Sequence, residues 1–347
     1  MGKQLSPRKE AILRSLVEEY IRSATPVASE TLRSKYLLPW GAATVRNEMA
    51  SLEEEGLLFQ PHTSAGRIPT DLGYRYFVEH LMLESALSLD EQRRIRHQFY
   101  QVQHQLDEWV RLTASVLSRA LQSAAVVTPP RAMEGRLKHF EVLSLQEMVA
   151  LLVVVLQDGA VKQERLLLDT PTTQEELSAL SQQMNRLLVD LSAPELEQQT
   201  KDISLDVNER MVLDAILRML SQHGEYSAET FYHDGILQML SQPEFTTIGL
   251  EHERNQRIRK VVEVLEQNRL LPAVAAQVPV GGVQVIIGGE NEFEDMKDVS
   301  LVVSRYGHEG QAGGLIGVVG PTRMQYSRAI AVVRYMTEVL NDLLGEL

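Results

Sequence analysis

Arg46 and Asn47 stand side by side in Trp40–Thr70, WGAATVRNEMASLEEEGLLFQPHTSAGRIPT. A guanidinium forks onto guanine, and a carboxamide pairs bidentately with adenine in the major groove. Ala42, Val45, Met49 and Leu52 recur at helical spacing on one face. Ala43, Arg46, Asn47 and Ala50 fall on a separate face, small enough to lie against a nucleic-acid groove, with Thr44 beside them. The positions three and four residues from Arg46 are Ala42, Ala43, Met49 and Ala50, so no acid on its own helix can neutralise it. Glu53, Glu54 and Glu55 close the helix at the end away from any phosphate, and Gly56 stops it as a left-handed cap. Leu57–Phe59 then reads as a short strand, 61–66 as a tight turn, and Arg67-Ile68 as the returning strand. His62, Thr63 and Ser64 lie at the tip, where they could meet a phosphate or the minor groove, and Arg67 lies along the hairpin in position for a phosphate.

Other chemistries find less support. Gly313, Gly314, Gly317 and Gly320 precede a helix, the place where anions bind. Their spacing matches neither a dinucleotide fingerprint nor a P-loop, and no Lys-Ser/Thr follows. The nine histidines form no metal spacing, and no nucleophile elbow occurs. There is no cysteine, which excludes disulfides, thiolate zinc and a cysteine nucleophile and fits a reducing cytosol. The expectation is no catalytic site, no metal and no cofactor.

A helix followed at once by a hairpin with a polar, basic tip is the layout of a winged helix-turn-helix. The elements before it agree. Leu5–Arg22 reads as a helix with Ser6 as N-cap and Pro7 at its first position, and 29–36 as a short second helix. After the hairpin, Thr70 caps a further helix carrying Leu72, Tyr76, Phe77 and Leu81. Ser88 to Glu91 is a capping box opening one long helix to about Leu121, with a heptad seam from Ile95 through Phe99, Trp109 and Val116. That seam either packs on the next domain or pairs two subunits.

From Ala124 the period changes. Strands are expected at 124–128, 137–145, 148–156 and 161–168, with a hairpin turn at Gln157-Asp158-Gly159. A helix follows over 174–191, then a helical, acidic block from 193 to 268. Strands return at 282–288, 299–306 and 315–319, and Pro321 starts a final helix. The fold class is α+β: an antiparallel sheet interrupted by a helical block and then completed. The expected domains are 1–82, 83–195, 196–268 as an insertion, and 269–347.

The net charge is −13, but residues 1–80 hold ten basic and ten acidic side chains. The N-terminal part is therefore neutral on an acidic body, which would disfavour non-specific nucleic-acid binding. The longest apolar run, Met148–Leu156, is too short for a membrane span. No apolar leader opens the chain. A cytoplasmic protein without a membrane partner is expected.

The strings LSPRKEAILRSLVEEYI, PVASETL and ATVRNEMASLEEEGLLFQPHTSAGRIPTDLGYRYFV closely resemble the N-terminal domain of the HrcA family of bacterial heat-inducible transcription repressors. LQMLSQPEF (237–245) and GLIGVVGPTRMQY (314–326) resemble later parts of that family. Ala42 stands where the family usually has serine and Ala28 where it has glycine, which removes one N-cap or phosphate contact at position 42. The resemblance implies a GAF-like domain carrying an inserted dimerising domain. It also implies a homodimeric repressor of chaperone genes on the inverted-repeat operator called CIRCE, under control of the GroE chaperonin. The DNA-contacting set would be Ala43, Thr44, Arg46, Asn47, His62, Thr63, Ser64 and Arg67. The alternative is a regulator that senses a small molecule through the GAF-like domain.

Overall fold

Ser6 and Pro7 open the first helix as the sequence predicts: the Ser6 hydroxyl accepts from the Lys9 amide, and Pro7 occupies a position whose N–H would have no partner. The computed structural model describes residues 5–63, 65–83, 85–101, 106–132, 135–201, 203–221, 231–246, 251–266, 274, 277–279, 281–307 and 312–345. They form a mixed helix and sheet structure with antiparallel sheets, which divides into two compact units.

The first unit comprises Met1–Pro129, Ala228–Tyr306 and Gly314–Leu347. It begins with α1 (Pro7–Ser23), α2 (Ser29–Lys35) and α3 (Ala42–Glu54), then the hairpin β1 (Leu58–Phe59) and β2 (Ile68–Pro69). Leu58 pairs with Pro69 and Phe59 with Ile68. Thr70 caps α4 (Asp71–Tyr76), its hydroxyl accepting from the Gly73 amide at 3.1 Å. Ile12, Leu13, Leu16, Val45, Met49 and Leu52 are fully buried, as their spacing predicts.

This apolar core does not stop at the N-terminal helices. It continues through Ile95 and Phe99 of α5 (Leu89–Tyr100) and Trp109 of α6 (Leu106–Leu121) to the last helix. The heptad seam read as one long helix is therefore two helices, both turning their apolar stripe inward. Ile95, Phe99 and Trp109 are spent on this chain's own core.

The sheet of the first unit runs β8–β3–β11–β10–β9. Its strands are β3 (Ala124–Val127), β8 (Tyr232–Asp234), β9 (Val283–Ile287), β10 (Val299–Gly307) and β11 (Ala312–Pro321). β8 lies inside the stretch expected to be helical. It is a three-residue polar edge strand, too short to show a period of two. Between it and the sheet's return lie α10 (Ile236–Leu240), α11 (Pro243–Thr246) and α12 (Glu251–Glu266). β11 extends through Pro321, and the final helix α13 begins at Tyr326 rather than Pro321. Two glycines of β11 serve close packing: a Cβ at Gly314 would lie 2.5 Å from the Tyr306 hydroxyl, and one at Gly320 2.8 Å from that of Ser123.

The second unit is Pro130–Ser227 with Gly307–Gly313. In it β4 (Arg131–Ala132) pairs with the start of β11. β5 (Leu137–Gln146), β6 (Val149–Leu156) and β7 (Val161–Leu167) form a three-stranded antiparallel sheet of their own. The β6–β7 turn uses Gly159 at φ +85°, as expected for that hairpin. α7 (Gln174–Leu188), α8 (Ala193–Thr200) and α9 (Val207–Ser221) complete the unit, and Leu177, Met184, Val212 and Ile216 bury against one face of the sheet. The expected insertion at 196–268 thus overlaps this unit only in part. The difference lies in strand partners: 137–167 pair among themselves and do not join the sheet of 283–321.

Candidate nucleic-acid interface

α3 presents its two faces as the spacing requires. Val45, Met49 and Leu52 turn into the core, while Ala43, Arg46 and Asn47 are exposed and Thr44 is half-buried. Gly41 is the N-cap and supplies no side-chain acceptor, so the first amides of α3 have no side-chain cap. Among the described residues, no ion pair or side-chain hydrogen bond holds Arg46 or Asn47.

Arg8, Lys9, Arg33 and Lys35 of the helical bundle are instead paired. Arg8 pairs with Glu48 at 3.3 Å and lies over the Trp40 ring, 5.5 Å from its centre. Lys9 bridges Glu55 and Ser51 at 2.5 and 2.8 Å. Arg33 pairs with Glu30 at 2.8 Å. Lys35 pairs with the buried Glu19 at 2.7 Å, and that hydrogen bond holds the Glu19 carboxyl below its usual range. The Tyr36 hydroxyl donates to the same carboxylate at 3.2 Å, and burial pushes its phenol up to about 12. These pairs tie α1, α2 and α3 together and leave Arg46 as the outward guanidinium of α3.

The hairpin is braced from two sides. Val27 and Arg67 exchange both backbone hydrogen bonds at 2.9 Å, adding a third short extended segment beside β2. This contact requires glycine at position 66, because a Cβ there would lie 2.4 Å from the Val27 carbonyl. The Gln60 carboxamide donates to the carbonyls of Thr63 and Ala65 at 3.2 and 2.8 Å, which shapes the tip. His62 and Thr63 are exposed there, as expected. Ser64 lies outside the described residues.

Arg67 departs from expectation. Its side chain is only 13% exposed, and its Nε donates to Glu53 Oε2 at 2.8 Å. Glu53 Oε1 also accepts from the Gln60 amide at 3.2 Å. Arg67 therefore ties the hairpin onto the end of α3 through its Nε. Glu53 is the residue that sequence reasoning missed. Its acidic run pointed away from DNA as a group, and only Glu54 and Glu55 are in fact exposed. The sole signal was an acid near the helix end, with a basic residue on the returning strand.

The family described as the HrcA protein C terminal domain matches residues 107–330. Proteins named heat-inducible transcription repressor HrcA align along the whole chain. That of Herpetosiphon aurantiacus is 45% identical over 100% of this chain and 97% of its own. That of a Roseiflexus species is 45% identical over 100% and 96%, and that of Dehalococcoides mccartyi 41% over 99% and 97%. A crystal structure of a hypothetical protein shares the fold, with a TM-score of 0.56 at 20% identity over 99% of this chain and 98% of that one. These relatives place the chain among transcription repressors of heat-inducible genes. It belongs to the HrcA family.

Proposed function

We propose that residues 5–81 are a winged helix-turn-helix, that α3 enters the major groove, and that the 58–69 hairpin is the wing. The observation that carries this reading is the exposed, unneutralised Arg46 beside Asn47 on a helix whose opposite face is fully buried. Arg46 and Asn47 would read base edges, Ala43 would allow close approach, and Thr44 would contact the backbone. His62, Thr63 and Ser64 would touch the neighbouring phosphates or the minor groove. Arg67 supports the wing.

Two such subunits would bind an inverted repeat. Support for a homodimer comes from the second unit's sheet. Val149, Leu151, Val153 and Val155 line its outer face and are half-buried. Register places Leu143, Val161 and Leu167 beside them, 40%, 64% and 75% exposed. The apolar stripe along β6, bordered by His139, Glu141, Gln163 and Arg165 on the neighbouring strands, supports an association surface. The second unit is then the inserted dimerising domain, and the sheet of the first unit is the GAF-like domain. Membership of the family supports the CIRCE element as the operator and the GroE chaperonin as the partner that maintains the active form. Among the described residues, no helix is long and apolar enough to cross a membrane.

Hydroxyl-radical footprinting on a chaperone-gene promoter tests the reading. Two protected patches on one face of the duplex, separated by whole helical turns of about 10–10.5 bp, are expected. A single continuous patch, or none, would refute it.

A second reading has one observation in its favour. A cleft of about 320 Å³ between α5, α6 and α13 has Leu87, Ile95, Leu112 and Val116 along it and Arg94 and Arg119 among its lining residues. A small-molecule-sensing regulator would use such a cleft. A melting-temperature rise with one member of a metabolite panel would favour that reading.

A further inference from the structure

Two segments singled out in the sequence, 237–245 and 314–326, lie outside the proposed DNA-contacting set, yet they meet. Arg323 lies in the turn between β11 and α13, and its guanidinium forks onto Glu244 of α11: Nε reaches Oε1, and Nη2 reaches Oε2 at 3.4 Å. Both side chains are nearly enclosed, 12% and 17% exposed. The remaining nitrogen, Nη1, donates to the Ile21 carbonyl in the last turn of α1. A cation at that end is favoured by the helix dipole as well as by the hydrogen bond. Arg257 steadies the acid's backbone, Nη1 donating to the Glu244 carbonyl at 3.4 Å while its Nε pairs with Asp298 at 2.8 Å.

A second contact of the same kind lies at α4, directly after the hairpin. Asp71 Oδ2 accepts from the Gly289 amide at 2.8 Å. Arg75, one turn later, sets its Nε on Glu290 Oε1 at 2.8 Å, and its Nη2 donates both to Glu290 Oε2 and to the Val285 carbonyl, the latter at 2.7 Å. Gly288 sits at φ +51°, and a Cβ there would lie 2.4 Å from the Asp71 carboxylate, so the backbone itself is shaped to receive α4. Ser85 and Ser327 add a reciprocal pair, Ser85 Oγ to the Ser327 carbonyl at 3.1 Å and Ser327 Oγ to the Leu83 carbonyl at 2.8 Å.

These contacts seize the end of α1 and the start of α4. None of them touches α3 or the hairpin tip, so the reading face stays open. We propose that Arg323–Glu244 and Asp71/Arg75–Gly289/Glu290 are positioning clamps that fix the direction of α3 against the rest of the first unit, and that they set which half-site spacing the repressor accepts. This inference rests on the dimeric, DNA-binding reading above. Within the first unit, the path between two recognition helices passes through this junction, and a loose junction would let each reading head find its half-site independently.

The test uses the full chain, one duplex with a single half-site, and a series of inverted repeats whose spacer changes in single base pairs. The parent should show one sharp spacer optimum. The double variant Arg323→Gln/Arg75→Gln should keep half-site affinity within twofold, lose tenfold or more at the optimum, and vary less than threefold across the series. Should the double variant fail to fold by circular dichroism, Arg75→Gln alone must still broaden the optimum. The chain has no cysteine, so Asp71→Cys with Gly289→Cys places a unique thiol pair across the junction. Joining it by oxidation or a short thiol cross-linker in the Arg323→Gln background should restore the sharp optimum, and reduction of the oxidised pair should abolish it.

A variant that keeps the parent's optimum, a cross-link that restores nothing, or a variant that binds the repeat more tightly would overturn the clamp. A parent with no preference for any repeat would overturn the DNA-binding reading together with it.

Discussion

Arg46 and Arg67 carry the same charge on adjoining elements and have different fates. That Arg46 stands exposed and unpaired could be read from the sequence, because the neighbours that would neutralise it are local and its helix offers none. Arg67 could not, because Glu53 is its neighbour only after the hairpin folds back on α3. Arg46→Ala is expected to cost about 1–3 kcal/mol of operator affinity and to relax sequence preference, read by competition with base-substituted duplexes. Arg67→Ala should act otherwise. It should lower the melting temperature of the chain and leave the slope of log affinity against log salt unchanged, since no phosphate contact is lost. A slope reduced by about one counterion would return Arg67 to the DNA.

At the scale of elements, what is written locally in the chain could be read. Ser6, Thr70, Ser88 and Gly56 mark helix ends with their own side chains or backbone freedom, and each does so in the structure. Strand partners are chosen by distant segments, so alternation and apolar runs located strands within 137–168 and 282–319 but read them as one interrupted sheet, whereas they belong to two. The heptad seam likewise ran across a break, because two helices facing one core can keep one spacing.

Position 66 gives a direct test of the bracing inferred for the hairpin. Gly66→Ala places a Cβ against the Val27 backbone and should destabilise the chain by about 1–3 kcal/mol, an overpacking cost, whereas Gly159→Ala, with open space around it, should show only the strain of its positive φ. Denaturant melts of the two variants measure this.

The start of α5 has a pH signature. The Glu91 carboxyl is lowered to about 2, chiefly by the Arg328 guanidinium 2.7 Å away and then by the Ser88 amide and hydroxyl. A depressed carboxyl stabilises the fold fully above its ordinary value of 4.5 and loses that contribution as pH falls toward about 2. Glu91→Gln should therefore melt below the parent near neutral pH, with the gap narrowing in acid; a gap independent of pH would contradict this origin.

For the whole molecule, charge and apolar surface act together. The body carries the acid of a chain whose net charge is −13, so under the proposed reading DNA would approach only where α3 and the hairpin tip present themselves. The β6 stripe is an outward apolar surface of the second unit, and under the proposed dimer its use in pairing would decide whether one half-site or two are bound. Leu151→Asp with Val153→Asp should give monomers by light scattering, with half-site binding kept and the preference for the inverted repeat lost. A variant that remains dimeric would move the interface elsewhere.

The central claim is sequence-specific repression through α3 of a paired chain. Fluorescence anisotropy of the full-length protein, against an inverted-repeat duplex and a scrambled duplex from low to physiological salt, tests it most directly. The account predicts salt-sensitive binding that prefers the repeat by roughly a thousandfold. Equal, weak binding to both duplexes, unchanged by added chaperonin, would contradict it.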